Sequence, residues 1–230
     1  MYEYVYKISL PAVYREAGRF ADALKVMDDA LHIYHGDEPN RWQFQKGNLL
    51  IDIGKNDLAL QLADEMKFER LSLRFKGKAL ANIGEYEKAE ESAAKHKSLS
   101  GILFYQYMTK AYIAVAKKDA DSALEYLKNV EAIAVPFGSM LGIQYWTLLA
   151  EAHRLNNDLD KAVLVHERLL HIYGGHALSH YELGKLYESL GRLEKAKANY
   201  IKFLEMWKNA DKGLPQPEYA RERLGALKGY

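Results

Sequence analysis

The chain has 230 residues, of which 49% are hydrophobic and 27% are charged, and its formal net charge is +1. This composition is typical of a globular protein with a sizeable core, and the even balance of charges predicts neither a nucleic-acid nor a membrane partner. The absence of cysteine excludes disulfides, thiolate metal sites and cysteine nucleophiles. Because no apolar run approaches about 18 residues and the N-terminus lacks a signal-peptide pattern, we expect a cytoplasmic protein.

An alanine recurs along the chain at intervals of 36, 30, 34, 39 and 34 residues. The six positions are Ala23, Ala59, Ala89, Ala123, Ala162 and Ala196. Twelve residues before each stands a proline or a small residue: Pro11, Gly47, Gly77, Ala111, Ala150 and Gly184. A period near 34 with aligned anchors is typical of stacked helical hairpins. We expect the two small residues of each unit to let its two helices pack closely where they cross.

Five residues before each alanine stands the residue expected at the turn between the two helices. These are Gly18, Gly54, Gly84, Lys118, Asn157 and Gly191. The residue after a helix often adopts the left-handed conformation, which glycine takes without steric cost. We therefore predict that Lys118 and Asn157 adopt it too, at a cost of about 1 kcal/mol for the lysine.

Pro11 makes the first unit unusual, because proline is tolerated in the first helical turn but not in the interior. Two alternatives follow for the residues before it. Either a shortened helix begins near Leu10, capped by Ser9, or the helix begins further upstream and is kinked at the proline.

Two intervals depart from the common period. The interval of 30 removes about one helical turn, which we place around Lys67–Arg70. The interval of 39 contains the stretch AVPFGSMLG, where a proline and two glycines predict a longer connection. At the end of the chain, Lys212–Pro217 predicts a connector, followed by a short amphipathic helix that covers the last apolar face.

The stretch LGKLYESLGRLEKAKANYIKF, from Leu183 to Phe203, resembles the tetratricopeptide repeat family. The positions on the family pattern are Leu183, Gly184, Tyr187, Gly191, Leu193, Ala196 and Tyr200. Five further copies lie in register, including LLAEAHRLNNDLDKAVLVHERLL and KGKALANIGEYEKAEESA. The resemblance implies an all-α fold, a right-handed superhelical solenoid of antiparallel helical hairpins that forms one domain over residues 1–230. Its register gives repeats 4–37, 40–69, 70–103, 104–137, 143–176 and 177–210, with a capping helix at 218–228.

In this family the first helix of each repeat lines a concave groove that holds partners. The corresponding positions here are Arg41, Phe44, Asn48, Arg74, Lys78, Tyr105, Met108 and Tyr112. Arginine binds carboxylates through two hydrogen bonds, and aromatic rings supply rigid contact area. The resemblance thus implies a site for a protein or peptide that is acidic with apolar residues. The alternative is that the cations are solvated and the rings pack between repeats.

One known activity of the family is not expected. Members that bind the acidic C-terminal tails of heat-shock chaperones carry lysine, asparagine and arginine at fixed groove positions of three repeats. In the register that begins at the second repeat only Asn48 matches, and the other registers match no better. We therefore do not expect the chain to bind chaperone tails.

No constellation of catalytic residues is recognisable, since the chain has neither a phosphate-binding glycine loop nor a GxSxG motif. We predict no catalytic residue, no cofactor and no enzymatic activity. Five of the eight histidines lie between His153 and His180, and His176 and His180 share a helical face. Zinc binding is the alternative to a packing role for these histidines, but no carboxylate is spaced as a third ligand. We predict no metal site.

Two functions are left open by the sequence. The first is a protein-interaction module that binds a peptide or partner domain in its groove. The second is a self-associating scaffold or the regulatory tail of a larger signalling or transcription protein, with Tyr2, Tyr4 and Tyr6 as part of its interface. A homo-oligomer is compatible with either.

Overall fold

The computed structural model describes residues 2–33, 38–100, 103–133 and 140–227. Within these ranges thirteen α-helices and no β-strand are present. They are α1 (Tyr2–Glu16), α2 (Phe20–Ile33), α3 (Glu38–Asp52), α4 (Asn56–Glu65), α5 (Glu69–Asn82), α6 (Tyr86–Ser100), α7 (Leu103–Ala116), α8 (Ala120–Ile133), α9 (Met140–Leu155), α10 (Leu159–Ile172), α11 (Ala177–Ser189), α12 (Leu193–Met206) and α13 (Pro215–Ala226). The side chains of Tyr2, Tyr4 and Tyr6 lie outside the described part. Of the predicted long connection AVPFGSMLG, residues 134–139 also lie outside it, and the last three residues, including Gly142, belong to α9, so the connection does not extend to Gly142 as expected.

Consecutive helices pack as hairpins, namely α3 with α4, α5 with α6, α7 with α8, α9 with α10 and α11 with α12. Within the central hairpins, first helices also contact one another, since α5 packs on both α3 and α7. The predicted all-α array of helical hairpins is therefore confirmed. Its division into six repeats with the stated boundaries stays a prediction.

The recurring alanines lie where the sequence places them. All six have a relative exposure of 0%, so each is completely buried in the packed interior. The glycines twelve residues earlier behave less uniformly. A Cβ at Gly184 would lie 2.5 Å from the Tyr200 ring of the same hairpin, as expected. A Cβ at Gly77 would lie 2.4 Å from Thr109 Cγ2 in the next hairpin and 3.6 Å from Ala89 O in its own, so this glycine lies close to both.

The prediction for the two unusual turn residues is confirmed. Lys118 and Asn157 each have a φ of 60°, in the left-handed region that the other turns fill with glycine. Their backbone N–H groups donate to Val115 O and Arg154 O, three residues earlier in the chain, which closes the end of the preceding helix.

Of the two alternatives for the first unit, the shortened helix is wrong. The first helix begins at Tyr2 and continues through Pro11, whose side chain is buried. Proline removes only one backbone donor, and the packing of its helix outweighs that loss. The expected loss of a turn in the second unit is confirmed, since α4 has 10 residues and ends at Glu65, where Met66 turns to an extended conformation.

The C-terminal helix begins at Pro215, three residues before the predicted start of the cap. Proline is accommodated there because the first turn of a helix has no intrahelical partner for its N–H. Ala220 and Leu227 are buried, and α13 packs on α12.

The chain divides into two units, one formed by residues 1–23 with 137–230 and the other by residues 24–136. The first helix therefore belongs to the same unit as α9 to α13, although more than 100 residues separate them in the chain. None of the described helices is long and apolar enough to cross a membrane.

Candidate functional site

The eight predicted groove residues lie on three neighbouring helices of the second unit. Arg41, Phe44 and Asn48 belong to α3, Arg74 and Lys78 to α5, and Tyr105, Met108 and Tyr112 to α7. Because the spacings within each helix are three or four residues, the side chains of one helix lie on one side of it. Since α5 packs between α3 and α7, its two cations lie close to rings from both neighbours. We call these eight residues the cation–aromatic face.

Arg74 is the centre of this face. Its guanidinium carbon lies 3.8 Å from the centroid of the Tyr105 ring and 5.9 Å from that of Phe44. The side chain is half-buried, and its Nε atom is buried with no hydrogen-bond partner among the described residues. No carboxylate of the described chain pairs with it either. Stacking on aromatic rings therefore holds the cation without neutralising its charge.

The pKa values of Arg74 and of the neighbouring His96 are both lowered by burial and by nearby positive charges. Burial is the main cause of a lowered pKa for the Arg74 guanidinium, with a further lowering from nearby Arg70. Behind the stack lies His96, 1% exposed, whose ring centroid is 5.0 Å from that of Tyr105. Burial lowers the pKa of His96 to about 4, and the positive charges of Arg74 and Arg70 add to the effect. His96 is therefore neutral at neutral pH and adds no charge to the face.

Lys78 lies one helical turn beyond Arg74 in a different setting. Its ammonium is 5.1 Å from the centroid of the Tyr112 ring and 3.0 Å from Asp52 Oδ1, so its charge is neutralised within the chain. Burial raises the pKa of the half-buried Tyr112 hydroxyl. The Lys78 end of the face is thus nearly neutral overall, whereas the Arg74 end is positive.

The other predicted residues lie at different depths. Arg41 is exposed, while Phe44 is half-buried with its ring centroid 6.2 Å from that of Phe75. Asn48 is buried and donates from Nδ2 to the carbonyl oxygen of Phe44 at 2.9 Å, within its own helix. Met108 is 4% exposed and belongs to the interior. The accessible part of the face therefore consists of Arg41, Phe44, Arg74, Lys78, Tyr105 and Tyr112.

Two residues that shape this face were missed in the sequence. Asp52 ends α3 and pairs with Lys78, and His96 comes from α6, a second helix of a hairpin. The family register draws attention only to first-helix positions, so it gives no reason to inspect His96. An acidic residue 26 positions before Lys78 carries no local signal at all.

The histidines near the C-terminus have packing roles within the first unit. The Nδ1 atoms of His166 and His176 lie 3.1 and 2.8 Å from the hydroxyl of Ser179, which is completely buried. His180 Nδ1 lies 2.9 Å from Asn199 Oδ1. Among the described residues, no three histidine or acidic side chains are grouped as metal ligands. His176 and His180 thus contact different side chains, Ser179 and Asn199.

Two family models for tetratricopeptide repeats match the chain, one over residues 146–175 and one over residues 177–206. These ranges are the hairpins formed by α9 with α10 and by α11 with α12. None of the curated proteins compared with the chain matches its sequence.

Several solved structures have a similar fold. A tetratricopeptide repeat protein from Parabacteroides merdae is 15% identical, with a TM-score of 0.65 over 98% of this chain and 84% of its own. MamA from Desulfovibrio magneticus RS-1, in its 41-end form, is 22% identical, with a TM-score of 0.51 over 78% of this chain and 100% of its own. The family matches show tetratricopeptide repeats over residues 146–175 and 177–206, and the solved structures show that the fold is that of tetratricopeptide repeat proteins.

Proposed function

We propose that the cation–aromatic face binds an acidic, partly apolar segment of a partner protein. The observation that supports this most is the state of Arg74, which is half-buried, stacked on Tyr105 and without a carboxylate partner among the described residues. A half-buried cation without a counter-charge loses hydration and gains little in return. A carboxylate from a partner would compensate for the lost hydration.

The geometry favours arginine for this purpose. A guanidinium packed on a ring retains its terminal N–H groups, which can bind both oxygens of a carboxylate. The contact with Tyr105, at 3.8 Å from the guanidinium carbon to the ring centroid, restricts the side chain, so less side-chain entropy is lost when a ligand binds. Aromatic rings beside it supply contact area for an apolar neighbour of the acidic residue.

The two ends of the face differ in charge, and this difference determines which end binds the acidic residue of the ligand. Asp52 neutralises Lys78 and would repel a second carboxylate, so the acidic residue binds at the Arg74 end. The Lys78 end, with Tyr112, then takes the apolar residue. This differs from a uniformly basic groove, in which both cations would bind acidic side chains.

The test begins with a random-peptide library displayed on phage and selected on the full chain. We expect the selected peptides to carry Asp or Glu near an aromatic or aliphatic residue. The affinity of one such peptide is then measured by fluorescence anisotropy for the wild type and for Arg74→Gln. Because a hydrogen bond to a charged group contributes about 1.5 to 3 kcal/mol, the variant should bind roughly 10- to 100-fold more weakly.

Lys76→Gln is the matched control. Lys76 lies on the same helix, but its ammonium is already paired with Asp64 at 2.5 Å. It should bind the peptide as the wild type does. Selected peptides without acidic residues, or equal affinities for Arg74→Gln and Lys76→Gln, would show that this face is not the acidic-peptide site.

A further inference from the structure

The N-terminal half of α5 carries a second arginine on the same side of the helix as Arg74. Arg70 lies one turn earlier, and residues four positions apart are neighbours on a helix surface, with about 5 to 6 Å between their Cβ atoms. The side chain of Arg70 is exposed, and none of the described residues forms an ion pair or a hydrogen bond with its guanidinium. Its charge acts on both Arg74 and His96, since it helps to lower the pKa of each. The two guanidiniums therefore form one positive cluster.

The lysines of the same helix differ from its arginines, because each lysine is neutralised within the chain. The ion pairs are Lys76 with Asp64 at 2.5 Å and Lys78 with Asp52 at 3.0 Å. Glu69, the acidic residue next to Arg70, is paired with Lys95 of α6. Within the described part of the chain, acidic side chains therefore neutralise both lysines of α5 and neither of its arginines.

Two positive charges at one place favour a ligand group with more than one negative charge. His96 adds no charge at neutral pH, because burial lowers its pKa to about 4. One carboxylate neutralises only one of the two guanidiniums, and a second carboxylate beside it would be repelled by the first. A phosphate group carries about −1.5 to −2 charges at pH 7 and has three strong acceptor oxygens. It can therefore neutralise both arginines at once.

We propose that Arg70 and Arg74 bind the phosphate group of a phosphorylated residue in the partner segment. This inference rests on the proposed function, since the phosphorylated residue takes the place of the acidic residue at the Arg74 end of the face. Arginine suits a phosphate because its planar guanidinium can bind two oxygens through two parallel hydrogen bonds. The rings of Phe44 and Tyr105 beside Arg74 offer contact area to the residues that flank the phosphate. A free phosphate ion makes no use of these rings, so the occupant is a phosphorylated protein segment.

The test uses the full chain and the acidic peptide selected by phage display. Three versions of this peptide carry glutamate, serine or phosphoserine at the acidic position, and two further sets carry the same residues one position to either side. The set whose phosphoserine version binds most tightly in fluorescence anisotropy is compared. We expect the wild type to bind the phosphoserine version about 10-fold more tightly than the glutamate version, the effect of one further hydrogen bond between charged groups. The serine version should bind most weakly.

Arg70→Gln tests the role of the second arginine. It should weaken binding of the phosphoserine version about 10-fold, because the phosphate loses one of its two guanidiniums. The glutamate version binds Arg74, and salt screens its interaction with a more distant charge, so its affinity should fall less than about 2-fold. Lys76→Gln is the matched control, since it removes the same charge from a position about 120° around the helix from Arg70. It should leave the affinity for both versions unchanged, and circular dichroism checks the helicity of each variant.

The outcomes distinguish a failure of the phosphate site from a failure of the proposed function. If the glutamate version binds more tightly than the serine version, but the phosphoserine version binds no more tightly than glutamate, only the phosphate site is overturned. If all three versions bind equally, the acidic-peptide site is wrong as well. A preference for phosphoserine that Arg70→Gln reduces no more than Lys76→Gln does overturns the role of Arg70. Inorganic phosphate that displaces the phosphopeptide at an equal concentration would overturn the choice of a protein segment as the occupant.

Discussion

Two arginines show how differently the two units of this chain treat a cation beside tyrosine. In the unit of residues 1–23 and 137–230, Arg223 donates from Nε to Glu188 Oε1 at 2.9 Å, and Glu188 Oε2 also accepts from the Tyr200 hydroxyl at 3.1 Å. In the unit of residues 24–136, Arg74 stacks on Tyr105 at 3.8 Å and has no carboxylate partner within the described chain. The charge of Arg223 is therefore neutralised by Glu188, whereas no anion of the described chain neutralises the charge of Arg74.

The difference separates a structural role from a binding role. The Glu188 pair ties α11 to α13 and leaves little for an outside molecule to add. Arg74 contributes little to folding, because its cation–π contact is offset by the hydration it loses. A charge left unneutralised in an ordered, half-buried position is therefore a better marker of a binding site than a cation alone.

The largest effect expected from this comparison is on stability. Glu188→Leu removes the acceptor of the Tyr200 hydroxyl, and Tyr200 is completely buried. An unsatisfied buried donor costs about 1 to 3 kcal/mol, so the free energy of unfolding should fall by about 2 kcal/mol. Arg74→Gln should change it by less than about 1 kcal/mol. Urea denaturation of both variants checks the contrast, and a larger loss for Arg74→Gln would reverse it.

A smaller difference in stability is expected between the turn at Gly18, which is covered by Trp207, and the open turn at Gly84. Gly18→Ala and Gly84→Ala both place an alanine at a positive φ, at about 1 kcal/mol each. Only the first adds a methyl against Trp207, and such overpacking adds about 1 kcal/mol or more. The difference between the two unfolding free energies, measured in urea, should therefore be about 1 kcal/mol. Equal losses of stability would mean that the turn at Gly18 is as open as the turn at Gly84.

The smallest effect is spectroscopic. His96 has a folded pKa of about 4 against an ordinary value of 6.5, so its neutral form is favoured by folding. The stability it contributes is complete above pH 6.5 and is lost as the pH falls towards 4. Since the Arg74 charge helps to lower this pKa, Arg74→Gln should raise the pKa of His96 in an NMR titration.

His166 provides the control for that titration. Its pKa is lowered to about 3 by burial and by the neighbouring His176 and Lys185, all within the other unit. Arg74→Gln should leave it unchanged. Binding of an acidic peptide at Arg74 should shift the pKa of His96 in the same direction as the substitution, and a ligand that leaves it unmoved does not bind there.

Much of the fold was predictable because its signals are local and repeated. The alanine positions, the lost turn before α5 and the left-handed Lys118 and Asn157 each follow from spacing and from the steric limits of single residues. The contact of Gly77 with Thr109 in the next hairpin was not predictable in this way, because a small residue in mid-helix does not indicate which neighbouring hairpin packs on it.

The candidate site was likewise predictable only in part. The register brought Arg74, Lys78, Tyr105 and Tyr112 together on adjacent helices, and the structure places them within cation–π distance in pairs. It did not indicate that Lys78 is neutralised by Asp52 or that Met108 is buried. Pairing of charges depends on side-chain reach between helices, which periodicity does not encode.

By itself the sequence determined an array of helical hairpins, the residues at their tight contacts and the helices that carry the cation–aromatic face. These properties depend on repeats of about 34 residues and on neighbours within one or two helices. The tertiary structure alone decided that Arg74 keeps an unneutralised charge and that the turn at Gly18 is covered by Trp207. Those outcomes depend on atoms brought together from 26 to 191 positions apart, such as Asp52 with Lys78 and Glu16 with Trp207, and no local pattern specifies them.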